Sequence, residues 1–436
     1  MNSSEYKKYH ESFMQNNHGS NASHVFFCIF FTVQCSVLAA YKIRFISYRY
    51  AYEYLYIVLP LICAHTILSN YLNFLNIIVF LIVNYNIITT TNLSIAKTKL
   101  NQLNKFKNNR IQSISLLRGL TYLITVFCIL AVDFKDFPRY LAKTENYGYS
   151  LMDTGVGLFV LMSGLVHKEL AKNKYTDIIK GNLKFVTILL FLGVARFCSI
   201  KQLDYQEHVT EYGVHWNFFF TLAICKILST ILLYFIECSN SLSFVVLFVH
   251  ELFLYLGLQG WVFGDSPRDS LISANREGVC SCLGYVALYL FAAHLKTELT
   301  NVAVTRHVII WKLIKSTIIM WVVSYIINEF RPASRTLANA SYCLYLETVL
   351  LTMELILYFV EVTQAEETDF NVPLILQHIN TNGLSYFLAA NLLTGSVNLT
   401  IRTLLASNIV TFIILNTYMI LTTAFVVYIN KRGIKL

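Results

Sequence analysis

Apolar runs of about 17 to 25 residues recur along the whole chain, each long enough to cross a hydrocarbon core of roughly 30 Å as a helix. We read about thirteen of them. They lie at 24–41, 54–70, 72–90, 113–132, 149–166, 183–200, 215–236, 242–258, 279–294, 306–327, 341–360, 384–400 and 405–429. The longest polar segments between them are the amino-terminal tail, 91–112, 167–182, 197–214, 259–278 and 361–383, all too short to bury a core of their own. This pattern predicts an all-α, polytopic membrane protein. It folds as one unit over 1–436, with tails at 1–23 and 430–436. No fixed-period repeat, low-complexity tract or cleavable signal peptide is visible, because polar residues open the chain.

Composition sharpens this reading. With 56% hydrophobic residues, 14% charged and five prolines in 436 residues, the solvent is lipid rather than water. Lys and Arg near the span ends orient the chain. Lys42, Arg44 and Arg49 follow the first span; Lys97, Lys99, Lys105, Lys107 and Arg110 follow the third; Lys168, Lys172, Lys174, Lys180 and Lys184 follow the fifth. These loops are expected in the cytoplasm, together with the tail 430–436. The tail 1–23 and the loop after the fourth span are then lumenal. On the same count the acidic 361–383 segment is cytoplasmic, although it carries no Lys or Arg. The net charge of +9 is accounted for by bases facing anionic headgroups, so no nucleic-acid partner is implied. The ten cysteines are scattered, with no zinc or redox spacing beyond Cys280-x-Cys282, and fit a packing role.

Ionisable groups inside spans are expensive, at about 2.5–3.5 kcal/mol each near a helix centre. Lys226, His250, Glu251, Lys312, Lys315, Glu347 and Glu354 are such groups, and are expected to face the bundle interior and pair across helices. The lumenal span ends are more focused. The stretch DFKDFPRYLAKTE after the fourth span carries three acids and three bases where a turn needs none. Asp133 ends that span. Lys143 lies beyond Pro138, on an expected short interfacial helix that Asp136 would cap. Asp153 opens the fifth span in SLMDTGVGLF, where Gly155 and Gly157 permit close approach of a backbone or ligand. His215 and Asn217 open the seventh in VHWNFFF. Each alone fits an interfacial anchor or cap; together at one membrane level they mark a candidate site.

The stretches ILAVDFKDFPRYLAKTENYGYSLMDTGVGLFVLMSGLV, EYGVHWNFFFTLAI and GLSYFLAANLLTGSVNLT resemble the inositol acyltransferases of glycosylphosphatidylinositol (GPI) anchor synthesis, the phosphatidylinositol-glycan class W family and its fungal relatives. The likeness runs from about residue 113 to the end. It implies transfer of a fatty acyl group, usually palmitoyl, from acyl-CoA to the inositol 2-hydroxyl of glucosaminyl-phosphatidylinositol in the endoplasmic reticulum membrane. It also implies Asp133 and Lys143 as the catalytic pair. No cofactor beyond the acyl-CoA co-substrate and no protein partner is expected. Residues 1–110 carry little of the resemblance.

The residues suit that chemistry. A hydroxyl attacking a thioester needs a proton acceptor, and the developing oxyanion needs a donor. Asp133 serves as acceptor, with His215 as the alternative base. Lys143 serves the oxyanion or a phosphate. A large cavity is expected toward the lumenal ends of the fourth, fifth, seventh and twelfth spans, with Asp153, Asn217, Asn391 and Asn398 as substrate contacts. The alternative class is a multi-pass lipid or solute transporter, which interior ions also suit; neither inverted repeats nor spans broken near mid-membrane are evident.

Overall fold

In hydrocarbon a backbone N–H or C=O finds no water, so a spanning chain closes its hydrogen bonds within a helix. Accordingly the protein is 79% helical, with no strand among the described residues. The computed structural model describes residues 3–42, 48–91, 93–105, 111–167, 175–203, 209–363 and 372–434. Fourteen helices organise it. They are α1 (Ser3–Met14), α2 (Ala22–Lys42), α3 (Leu72–Thr90), α4 (Gln112–Ala131), α5 (Leu151–Leu165), α6 (Tyr175–Leu203), α7 (Phe218–Phe235), α8 (Asn240–Phe253), α9 (Arg276–Leu299), α10 (Arg306–Phe330), α11 (Ala340–Thr363), α12 (Leu374–Thr381), α13 (Gly383–Thr400) and α14 (Asn408–Lys431).

Every one of the predicted spans is helical. Among the described residues nine helices are long and apolar enough to cross a membrane, which makes this a multi-pass membrane protein: α2, α3, α4, α7, α8 with its continuation to Phe263, α9, α10, α11 and α14. The other four differ for visible reasons. The 54–70 span is broken into Arg49–Glu53, a π turn at Tyr54–Val58 and Leu59–Ala64. Helix α5 has only 15 residues, and it is shielded along most of its length by neighbouring helices. Helix α13 is polar for a span because of Asn391, Ser396 and Asn398. In α6, the residues before Asn182 and after Cys198 lie outside those whose side chains are described.

Three helices form the centre. Buried residues make up 83% of the α9 span, 78% of α11 and 72% of α4. Around them α3, α7, α8, α10 and α14 turn Phe74, Ile231, Phe248, Ile318 and Ile413 outward, the apolar coat a bilayer requires. Helix α9 packs along α5 and α8, and α11 along α10 and α4. Gly157 on α5 leaves no room for a Cβ beside Leu346 and Tyr342 of α11, so it serves packing, whereas Gly155 sits in ordinary contact with Thr125.

Helix amino termini carry unsatisfied N–H groups and a partial positive charge. Here distant acids satisfy them. Glu361 accepts from Gln112 and Ser113 N–H at the start of α4, both at 2.8 Å. Glu53 accepts from Leu374 and Ile375 at the start of α12, both at 2.7 Å. Glu251 accepts from Ala340 at the start of α11, at 2.9 Å, and pairs with Arg331. The sequence reading treated 361–383 as a polar connection. Part of it is α12, which packs on α4 where Gly119 lets the Leu376 carbonyl come so close that a Cβ would lie 2.6 Å from it.

The spanning acids and bases divide. Glu354 accepts from Ser113 Oγ at 2.6 Å, His250 bonds the Leu337 carbonyl at 2.9 Å, and Lys226 donates to Tyr289 Oη at 2.5 Å. Glu347 is fully buried, and neither carboxylate oxygen has a hydrogen bond among the described residues. Lys312 and Lys315 correct the expectation: they lie on the exposed side of α10, where a long side chain reaches toward the interface, and Lys312 pairs with Glu298.

Candidate functional site

Helix α4 ends because its carboxyl-terminal turn folds back: Asp133 N–H bonds Leu130 O and Phe134 N–H bonds Ala131 O. Phe134 and Phe137 are buried, and the Phe137 ring packs edge-on against Phe127 at 6.1 Å. Two aromatic anchors therefore draw the start of the charged loop into the core, and Asp133 goes with them. Its side chain is only 6% exposed. Oδ2 accepts from Asn398 Nδ2 of α13 at 2.8 Å, and Oδ1 lies 3.8 Å from His10 Nε2 of α1. Tyr418 of α14 closes the same corner, donating to the Val126 carbonyl at 3.0 Å. Asp133 thus faces a neutral amide and an imidazole, with no Lys or Arg in its described salt bridges.

The remainder of the loop is sewn down through its backbone. Asn17 donates to the Ala142 and Lys143 carbonyls, Ser20 bridges Tyr149, and Ser334 Oγ donates to Asn146 O. The expected interfacial helix is a single 3-10 turn, Arg139–Leu141, begun by Pro138 without a side-chain cap. Asp136 therefore caps nothing there. The burial of Leu141 and Ala142 holds this stretch in place of helix hydrogen bonds.

Lys143 belongs to a second cluster. Its Nζ is 2.6 Å from Glu211 Oε1 and 2.9 Å from Oε2. Burial pushes the Glu211 carboxyl up, but Lys143 and then Arg335 outweigh it and hold the group down at about 2. Behind this pair Asp153 and Arg335 form a buried salt bridge at 2.8 Å, both side chains 2% exposed. Asp153 also accepts from Thr144 N–H and Oγ1, and Tyr342 Oη donates to its carbonyl. Burial alone disfavours the Arg335 charge; Asp153, then Glu211, raise its basicity above the ordinary arginine value.

The remaining candidates stand apart. His215 N–H donates to Asn275 Oδ1 at 2.7 Å and its ring meets Phe197 edge-on. Its Nδ1 is buried without a hydrogen bond among the described residues. Asn217 is the N-cap of α7, accepting from Phe219 and Phe220 and donating to Gly193 O. Asn391 donates to Phe387 O within its own helix. The helices α4, α5, α6, α7 and α13 do converge, on an aromatic cluster of Phe159, Phe219 and Phe387 with Tyr122 and Phe218 packed against it. A cavity of about 430 Å³ opens beside the loop, lined by Ser20, Asn21, His24, Ser69, Asn70 and Tyr140 among others.

Three contributors were missed by sequence reading: Glu211, Arg335 and His10. Glu211 opens the EYGVHWNFFFTLAI stretch, where attention went to His215 and Asn217, and His10 lies in a tail set aside as bearing no motif. The helical spacing of Tyr6, Tyr9, His10 and Phe13 was the available signal.

The sequence model of the GWT1 family matches residues 6–429. The GPI-anchored wall transfer protein 1 of Schizosaccharomyces pombe is 34% identical over 341 residues, covering 75% of this chain and 74% of its own. The human glucosaminyl-phosphatidylinositol-acyltransferase PIGW is 30% identical over 464 aligned positions, covering 93% of this chain and 90% of its own. The phosphatidylinositol-glycan biosynthesis class W protein of Dictyostelium discoideum is 29% identical over 487 aligned positions, covering 95% of each.

Proposed function

The chain belongs to the GWT1 family, and from that premise we propose that it transfers a fatty acyl group, palmitoyl, from acyl-CoA to the inositol 2-hydroxyl of glucosaminyl-phosphatidylinositol. The place is the endoplasmic reticulum membrane, and the site opens to the lumen. The observation that carries the reading is the Asp133 carboxylate, buried yet held by a neutral donor, Asn398, instead of a cation. A carboxylate paired with Arg or Lys is a weaker proton acceptor. In the reaction the inositol oxygen bonds to the thioester carbon, the hydroxyl proton passes to Asp133, the carbon–sulfur bond breaks and CoA leaves. Lys143 has donors beyond those used by Glu211, and these meet the thioester oxygen or a phosphate. The open depression beside Tyr140 offers Ser20, Asn21, Ser69 and Asn70 as neutral hydrogen-bonding groups for sugar hydroxyls.

Purified enzyme given labelled palmitoyl-CoA and glucosaminyl-phosphatidylinositol should form an alkali-labile, acylated product. Substrate moved across proteoliposomes without acylation would instead establish the transporter alternative.

A further inference from the structure

The amino-terminal helix α1 lies across the Asp133 corner through one face. Positions 6, 9, 10 and 13 share that face by helical spacing. Tyr6 Oη meets Thr403 Oγ1 at 3.4 Å and accepts from Leu404 N–H at 3.2 Å. Cations sit over three rings: Arg402 over Tyr6 at 5.8 Å, Lys135 over Tyr9 at 5.5 Å and Arg139 over Phe13 at 5.3 Å. Each such contact contributes about 0.5–1 kcal/mol at an exposed site. Together they fix the helix on two loops, 133–139 and 402–404. This also explains part of the loop's charge, since two of its three bases serve as docking points for α1.

Between those anchors stands His10, its side chain 18% exposed and its Nε2 3.8 Å from Asp133 Oδ1. Resting hydrogen bonds in catalytic sites are commonly long and shorten on substrate binding. We infer that His10 is the proton-relay residue of this site, acting through Asp133. The inference rests on the assignment of Asp133 as proton acceptor.

An aqueous carboxylate, with a pKa of about 3.9, keeps a proton poorly, whereas imidazole at about 6.5 keeps it better. As the inositol oxygen bonds to the thioester carbon and the carbon–sulfur bond breaks, the hydroxyl proton moves to Asp133 Oδ1. It continues to the neutral Nε2 of His10. The imidazolium then returns it to the departing thiolate or to water, so charge and protons balance with no further reactant. Asn398 holds the other oxygen, leaving Oδ1 for the transfer. The described charged groups facing this side of α1 are Asp133, Lys135, Arg139 and Arg402.

The test compares His10→Gln and His10→Ala with Asp133→Asn, all as purified full-length enzyme, with kcat and KM followed from pH 5 to 8. His10→Gln keeps a polar contact but does not titrate. It should lower kcat by roughly tenfold or more, leave KM for palmitoyl-CoA within about twofold, and abolish the acid limb near the imidazole pKa. In an Asp133→Asn background it should change nothing further. Wild-type kcat with an intact acid limb in His10→Gln, while Asp133→Asn is inactive, would overturn the relay and leave Asp133 as the base. A fully active Asp133→Asn enzyme would remove both. Should His10→Ala fail to accumulate, His10→Gln and Tyr6→Phe decide: a helix that serves only as a cover predicts equal losses in both, with the pH profile unchanged.

Discussion

Two aspartates at the same end of the bundle have opposite surroundings. Asp153 is neutralised by Arg335 and two Thr144 donors in a buried pocket, whereas Asp133 meets an amide and an imidazole among the described residues. Their substitutions should therefore separate stability from turnover. Asp153→Asn removes the carboxylate paired with the buried Arg335 guanidinium and leaves only the more weakly acting Glu211 charge near it; breaking a buried pair costs about 3–5 kcal/mol at most, and detergent-solubilised protein should melt below wild type. Asp133→Asn should melt normally but lose turnover by roughly 10²–10⁴. Asn398→Ala removes one hydrogen bond to a charged group, about 1.5–3 kcal/mol, and should cost at least about tenfold in kcat.

The Glu211 carboxyl is held at about 2 against an ordinary value of 4.5. Its pairing with Lys143 therefore stabilises the fold fully above about pH 4.5 and loses that contribution as pH falls toward 2. Between pH 5 and 8 the Glu211 carboxyl should stay ionised, so melting of wild type and Glu211→Gln should differ by a constant amount over that range. At this scale the sequence displayed Asp133, Lys143, Asp153 and Asn398, but not that Asn398 bonds Asp133, nor the partners Glu211 and Arg335. Nothing in DFKDFPRYLAKTE says that Lys143 turns to Glu211, because that contact spans 68 positions of chain.

Among the elements, the long apolar runs were legible to within a few residues, since length and hydropathy decide a span. What failed were short pieces whose structure is imposed by neighbours. Helix α12 has eight residues, below any span threshold, and is held by Glu53 at one end and by contact with Gly119 of α4. The turn Arg139–Leu141 is too short for Asp136 to cap. Gly119→Val should force α12 off α4 and lower the melting temperature. Glu53→Gln should be milder, because the amide oxygen keeps one of the two backbone hydrogen bonds and only the other is lost. If Gly119→Val melts like wild type, the close approach of α12 to α4 is not needed for the fold.

For the whole molecule, contacts sort the loops and helix termini onto two ends of the bundle. Asp133, Glu211, Arg335 and Tyr6 share one end with the loops that hold them, while Glu361, Glu53, His378 and Asn430 share the other. Single cysteines in place of Ser12, Glu145 and Arg402, on a cysteine-free background, should all react with an impermeant thiol reagent only after sealed microsomes are opened. Cysteines replacing Lys97 and Lys431 should react before. Labelling of the first set in intact microsomes would reverse the orientation that the Lys and Arg count predicts.

The capping of α4 by Glu361 bears on how the protein is made. The first turn of α4 emerges from the ribosome roughly 250 residues before the acid that completes it, and the loop at 145–148 likewise waits for residues 333–336. The Asp133 loop is therefore assembled last, after insertion of the late helices, even though Asp133 is synthesised in the first third of the chain. A nascent chain stopped after Phe330 should carry every residue of DFKDFPRYLAKTE yet leave that loop open to protease added from its own side of the membrane, and the full-length chain should protect it.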